Sequence, residues 1–310
     1  MRKIDLKDIN NPPAVLVSNS AGRKVRRAVE NRNGNEYSGY HYKDQSVKDL
    51  LEAYSLGKHV KSADDSPKCF YCESSLKIGA ILQVEHYRPK AKVDNIDNDG
   101  LEHSGYYWLG LEWTNLLLAC PNCNQSPNKG TRFPVSGGCR ALPIQPVNAQ
   151  NQINRTYLIA SQSPLSDEIP LLINPEIDEP GEHLCFRKHG QIAPKDSSIR
   201  GITSIEIYGL DRDTLLKARK EVLANYLKEL NAYILMHKEN RGLDDNSLDA
   251  LLSRKLGEMI TDSLDQSKTY SAWRKHYCSH FITCVLPEID RDYRIRVYSL
   301  FRNLRTQVNP

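Results

Sequence analysis

The sequence predicts an α+β chain in which a zinc-braced module of short strands and loops is followed by a helical domain. Three observations carry this. Two CxxC pairs, Cys69-Phe70-Tyr71-Cys72 and Cys120-Pro121-Asn122-Cys123, have the spacing of the knuckle turns that deliver four thiolates to one tetrahedral zinc. Between them, Ile81 to Tyr87 reads as a strand that Pro89 ends, because proline cannot donate to a ladder. From Asp211 onward Leu215, Leu216, Arg219, Val222, Leu223, Tyr226, Leu227, Leu230 and Tyr233 recur at helical period for several turns.

At 310 residues the chain can bury a substantial core and suggests about two domains. The expected division is an N-terminal arm with a short helix over residues 1–64, a metal-bearing domain over 65–200 and a helical domain over 201–310. The net charge of +4 tolerates a polyanionic partner without demanding one. Residues 1–13 lack an apolar signal-peptide core, and no run approaches the roughly 18 apolar residues of a membrane span. With only eight cysteines, the expectation is a soluble cytoplasmic protein, away from membranes, whose thiols are reduced and whose CxxC pairs mean metal rather than disulfide.

Residues 1–43 are polar, are broken by Asn11-Pro12-Pro13 and Asn33-Gly34, and read as an irregular arm with one basic cluster from Arg23 to Arg27. Val47, Leu50, Leu51 and Tyr54 recur at helical spacing, with Ser46 as the expected cap. Asp94 to Gly100 lies in a polar insert whose spacing does not match a calcium loop, so a solvated loop is expected. After Cys120 a short helix should run to about Lys129 and stop at Gly130. Residues 134–200 read as loops and short strands, with a hairpin around Lys188 to Gln191. Gly242 should end the first long helix, Ser247 should begin a second, and Ser271 to Val285 should form a third.

Cys69, Cys72, Cys120 and Cys123 are the expected structural zinc ligands, since unrelated core cysteines have no reason to recur at knuckle spacing. A closed four-thiolate zinc has no open position, so chemistry must come from elsewhere. Glu85, His86, Asn115 and Asn124 are polar residues that zinc does not require. Phosphodiester hydrolysis needs a base for water and a hard cation to offset charge on the phosphorus and leaving oxygens. Histidine suits the first role, while carboxylate and amide oxygens suit magnesium or manganese. Neighbours on a regular strand point to opposite faces, so Glu85 and His86 can serve one site only if the strand ends or bulges there. His276 and His280, one turn apart among Trp273, Tyr277 and Phe281, read as part of a packed helix. Cys139, Cys185, Cys278 and Cys284 read as inert small hydrophobes.

His86, Asn115 and Asn124, with Glu85 before the histidine and the CxxC pairs flanking, resemble the HNH endonuclease motif of the ββα-metal fold. The resemblance implies His86 as general base, Asn115 as the residue fixing the loop that positions it, and Glu85 and Asn124 as ligands of the catalytic metal. Glu85 stands where many members have aspartate. Further blocks, Glu85 to Lys90, Gly105 to Leu109, Cys123-Asn124-Gln125 with Lys129-Gly130, and Pro170 to Pro175, resemble the PtuB family of HNH subunits from Septu-type anti-phage systems, which also occur in retron-associated versions. That implies a nuclease acting on nucleic acid, DNA in the first instance and RNA such as tRNA as the alternative, with a PtuA-like ATPase partner. A non-catalytic zinc-knuckle module that binds nucleic acid or a partner is the rival from another class.

Overall fold

The computed structural model describes residues 1–5, 7–37, 41–75, 81–94, 103–136 and 139–308. Two compact units account for them, one comprising 1–184 with 194–210 and the other 185–193 with 211–310.

The first unit begins with two helices, α1 (Ala14–Val17) and α2 (Asn19–Asn31), where the sequence reading expects an irregular arm. Ser18 caps α2 by accepting from Ala21 N, and Ala21, Val25 and Ala28 form a buried stripe at i, i+4 and i+7. Small apolar residues spaced between arginines conceal that stripe in the composition. The basic cluster therefore lies on an ordered helix, with Arg23 and Arg27 exposed. Helix α3 (Gln45–Ser55) is the expected one, but Asp44 caps it, its carboxylate accepting from Ser46 N at 2.9 Å and from the Ser46 hydroxyl.

Strand β1 (Gln83–His86) pairs antiparallel with β2 (Leu116–Ala119), in a register from Gln83 opposite Ala119 to His86 opposite Leu116. Helix α4 (Pro121–Asn124) follows at once. It packs against β1 and α3 packs against β2, so all four β2 side chains are buried. Helix α4 is shorter than expected: it stops at Asn124 rather than near Lys129, because Pro127 has no N–H to continue the ladder and restricts Ser126 before it. The insert residues Asn95 to Gly100 lie outside the described residues. Helix α5, preceded by a second strand pair, β3 (Leu184–Phe186) and β4 (Ile192–Pro194), spans Ile199–Tyr208. Its Ser204 hydroxyl accepts from Ile173 N at 2.8 Å and its Tyr208 hydroxyl donates to Ile173 O at 3.1 Å, which ties down the Pro170 to Pro175 segment.

The second unit holds the turn of the expected hairpin, with Arg187 N donating to Gln191 O, and five helices. These are α6 (Asp213–Lys238), α7 (Asp245–Leu264), α8 (Ser271–Ser279), α9 (Phe281–Cys284) and α10 (Arg294–Val308). The third expected helix is broken at His280, whose backbone N–H and imidazole both turn to His276 O. Leu223, Leu230, Leu252, Met259, Trp273, Tyr277, Phe281 and Phe301 lie in one core, where the Phe281 and Phe301 rings stack at 3.7 Å. His276 and His280 stack at 4.1 Å with no third metal-capable group beside them among the described residues. Cys278 and Cys284 are buried, and burial pushes the Cys278 thiol up to about 12, as befits an inert hydrophobe. Cys139 is exposed and does not share that role. No helix among the described residues is long and apolar enough to cross a membrane.

Candidate metal-binding and catalytic site

The two CxxC turns meet because the first is bonded to the strand that leads into the second. Phe70 N donates to Leu118 O at 2.8 Å, and β2 ends one residue before Cys120. Each turn closes on itself: Glu73 N donates to Cys69 O, while Cys123 N and Asn124 N both donate to Cys120 O. All four cysteines are buried, and their sulfurs lie within 4.8 Å of one another. Cys72 Sγ and Cys120 Sγ are 3.8 Å apart. Four ligands at a zinc–sulfur distance of about 2.3 Å in a tetrahedron stand about 3.8 Å from one another, so the cluster fits an ion of that kind.

His86 is the last residue of β1 and is 7% exposed. Its Nε2 lies 3.0 Å from Gly110 O. A carbonyl can only accept, so Nε2 carries the proton and the Nδ1 lone pair is the basic one. Burial, then the nearby Lys90 charge, holds the imidazole down at about 3, so it is neutral in its resting environment. The Tyr42 ring packs edge-on against it at 4.8 Å, with Lys43 and Lys90 at 5.9 and 5.8 Å from that ring. Lys24 of α2 adds charge nearby, acting with burial to hold His41 below its usual range.

Asn115 is fully buried and closes the loop around the histidine. Its Oδ1 accepts from Arg88 N at 2.8 Å, while Nδ2 donates to Arg88 O at 3.0 Å and to Leu109 O at 3.3 Å. Tyr87 N donates to Asn115 O at 2.9 Å. The turn after His86 and the turn that supplies Gly110 are thus held by one amide. Gly110 has no room for a side chain: an added Cβ would lie 2.3 Å from the Tyr37 ring. Gly110→Ala is therefore expected to cost about 1–3 kcal/mol by overpacking and to lower the melting temperature by several degrees. An unchanged melting temperature would show that the Tyr37 ring gives way freely.

By alternation along β1 Glu85 shares its side of the strand with Gln83, and its carboxylate accepts from the backbone N–H of His86, the residue at which the strand ends. Asn124 Nδ2 donates to Gln83 Oε1 at 2.9 Å, which leaves its Oδ1 as an acceptor beside the same face. Glu85 and Asn124 are hard oxygen donors, the chemistry that magnesium or manganese prefers. The Glu85 carboxylate is already balanced, however, by the fully buried Lys129, whose Nζ is 2.5 Å from Oε1 and donates to His86 O at 2.9 Å. Burial still holds the Glu85 carboxyl above its usual range, against the pull of Lys129. An ion on Glu85 would share that carboxylate with the lysine.

Tyr42, Gly110 and Lys129 are contacts that the sequence reading did not assign. Lys129 stands beside Gly130 in one of the blocks that resemble the PtuB family, which is its one signal in the sequence. Tyr42 and Gly110 offered none, because nothing local marks a ring or a carbonyl that meets a distant imidazole.

Fold and site together define an α+β chain with a buried four-cysteine centre able to hold a metal such as zinc, next to a strand-terminal histidine. The chain is 36% identical over 181 residues to the Septu protein PtuB of Bacillus mycoides (strain KBAB4), which covers 58% of this chain and 52% of that protein. It is also 28% identical over 160 residues to the Septu protein PtuA of the same strain, 51% of this chain and 20% of that one. The chain thus resembles the Septu proteins while spanning about half the length of PtuB and a fifth of PtuA. No protein-family model matches the chain. Nor does any solved structure.

Proposed function

We propose that this protein is a metal-dependent HNH endonuclease that hydrolyses phosphodiester bonds as an effector of anti-phage defence, with a PtuA-like ATPase as partner. The observation that carries the reading is His86, neutral and buried, its Nε2 proton committed to Gly110 O and its Nδ1 left with the lone pair, with the Lys90 charge nearby and Lys43 and Lys90 both close to the Tyr42 ring that packs on it. In this reading Nδ1 takes the proton of the attacking water, and the anionic phosphodiester raises its basicity by favouring the imidazolium that forms. Lys43 and Lys90 bind and orient the phosphate, and Asn115 holds the turn after His86 against the Gly110 turn. Glu85 and Asn124 would hold magnesium or manganese, which would offset charge on the phosphorus and leaving oxygens. Zinc in the cysteine cluster braces the β1–β2 pair and α4. The likeness to the Septu proteins supports the defence role and the partner.

The chain, with and without such an ATPase, should be offered duplex DNA, single strands and cellular RNA with magnesium or manganese. Cleavage of DNA is expected, and selective loss of RNA would move the substrate to RNA. Glu85→Asp should keep more activity than Glu85→Ala, since aspartate retains the carboxylate; Glu85→Ala cutting at the wild-type rate would remove Glu85 from the ligand set. The buried Lys129–Glu85 pair, which balances the carboxylate without an ion, favours a second reading as a non-catalytic zinc-knuckle binding module. Binding of nucleic acid with no cleavage under either ion would select it.

A further inference from the structure

The outward face of α2 carries positive charge that the fold does not use. Of the four basic residues on this helix only Arg26 is spent on structure, its Nε donating to Asn151 Oδ1 at 2.7 Å and its Nη2 to Asn148 O. Gly22 brings the helix close to the same segment, since an added Cβ would lie 1.7 Å from Asn151 O, so α2 is a fixed mount. Arg23 and Arg27 are exposed and Lys24 is half-buried, and none of these side chains makes an ion pair or hydrogen bond among the described residues. Positions 23 and 27, like 24 and 27, are neighbours on a helix surface, so the three charges form one stripe. The single acid on the helix is Glu30, which makes no ion pair with them. Unbalanced cations repel one another in the resting chain, and an anion laid along them removes that cost.

The end of α2 leads to the surroundings of His86. Gly34, just past the helix, lies so close to the segment after β1 that an added Cβ would stand 1.8 Å from Lys90 O, and Lys90 Nζ donates to Gly34 O at 3.2 Å. Lys43 and Lys90 flank the Tyr42 ring that packs on His86, and neither pairs with an acid among the described residues. Asp44, beside Lys43, is committed to capping α3. Burial and then the Lys43 charge hold the Lys90 amine below its usual range, which marks the two as close like charges. A bilayer does not fit α2, because a helix lying on lipid needs a free apolar stripe, and Ala21, Val25 and Ala28 are buried within the unit. Guanidinium and ammonium groups in a row suit successive phosphates, contacts that position a polymer without reading its sequence. We propose that Arg23, Lys24 and Arg27 hold a nucleic-acid backbone beyond the scissile phosphate that Lys43 and Lys90 receive, an assignment that rests on the nucleic-acid substrate proposed above.

Binding of the full chain to labelled duplex DNA, single-stranded DNA and RNA, followed by fluorescence anisotropy over a salt series without added magnesium or manganese, tests this apart from cleavage. Each phosphate contact contributes about 0.7–0.9 to the slope of log affinity against log salt, so Arg23→Gln with Arg27→Gln should flatten that slope by about 1.4–1.8 and weaken binding about ten-fold at low salt. The melting temperature should stay at the wild-type value, since both side chains are exposed. Glu30→Gln, which deletes the acid on the same helix, should tighten binding. Lys217→Gln with Lys220→Gln removes the same charge from exposed positions on α6 and should leave slope and affinity near wild type. A wild-type chain that binds no nucleic acid, an α2 variant that keeps the wild-type slope, or an α6 variant that loses as much would overturn the proposal. Loss of ATPase capture by the α2 variant, with nucleic-acid binding intact, would overturn it too and make the face a protein contact. A slope carried by α2 in a chain that cuts nothing under either ion would sustain the backbone contact and remove the nuclease reading instead.

Discussion

Cys72→Ser is expected to lose the bound metal, solubility and any activity together. Cys72 Sγ is one of four buried sulfurs drawn within 4.8 Å, and no described side chain outside the tetrad offers a replacement ligand in that cluster. Structural zinc in small modules contributes roughly 10–16 kcal/mol, against about 5–15 kcal/mol for the net stability of a whole domain. The centre also ties neighbouring elements together: the first knuckle is bonded to β2, and the second opens α4. Without the ion, four thiols crowd a buried space and the β1–β2–α4 arrangement loses its brace. Elemental analysis should find one zinc per wild-type chain, retained through dialysis against magnesium buffer, and none in soluble Cys72→Ser. A variant that stayed folded at the wild-type melting temperature, or a wild-type chain without metal, would defeat the tetrad assignment.

His86→Ala is expected to do the opposite, leaving metal and fold in place while cleavage falls by about 10² to 10⁴, the usual range for general-base catalysis. The stability cost should be modest. Losing the imidazole frees Gly110 O, and a buried acceptor left unpaired costs about 1–3 kcal/mol, which lowers the melting temperature by several degrees without unfolding the domain. Zinc content, melting temperature and cleavage rate, measured side by side, separate the two variants. A His86→Ala chain that cut normally would remove the histidine from the chemistry. One that unfolded with loss of zinc would make it a structural residue.

Much of the architecture was legible because it rests on short-range rules. The long helices of the second unit follow from apolar period, and the α7 start near Ser247 needed only the neighbouring Asp244, whose carboxylate accepts from Ser247 N. Legibility failed where several weak signals competed. In α2, two alanines and a valine among arginines make a stripe that only burial reveals. At α3, aspartate and serine stand two apart and either could cap; the backbone put Asp44 at the extended position. At α4, Gly130 looked like a stop, but Pro127 ends the helix first.

The sequence by itself determined the cysteine centre and the cast of polar residues around it, because ligand spacing within a knuckle is local and coordination chemistry admits few residue types. Only the tertiary structure decided which nitrogen of His86 keeps its proton, because that depends on the Gly110 carbonyl brought in by Asn115. It alone decided that Lys129 balances Glu85, and that Arg88, Asn174 and Arg200 each keep a buried nitrogen without a hydrogen-bond partner. These are long-range meetings of groups whose energies depend on burial and on distance, and neither quantity is written in residue order.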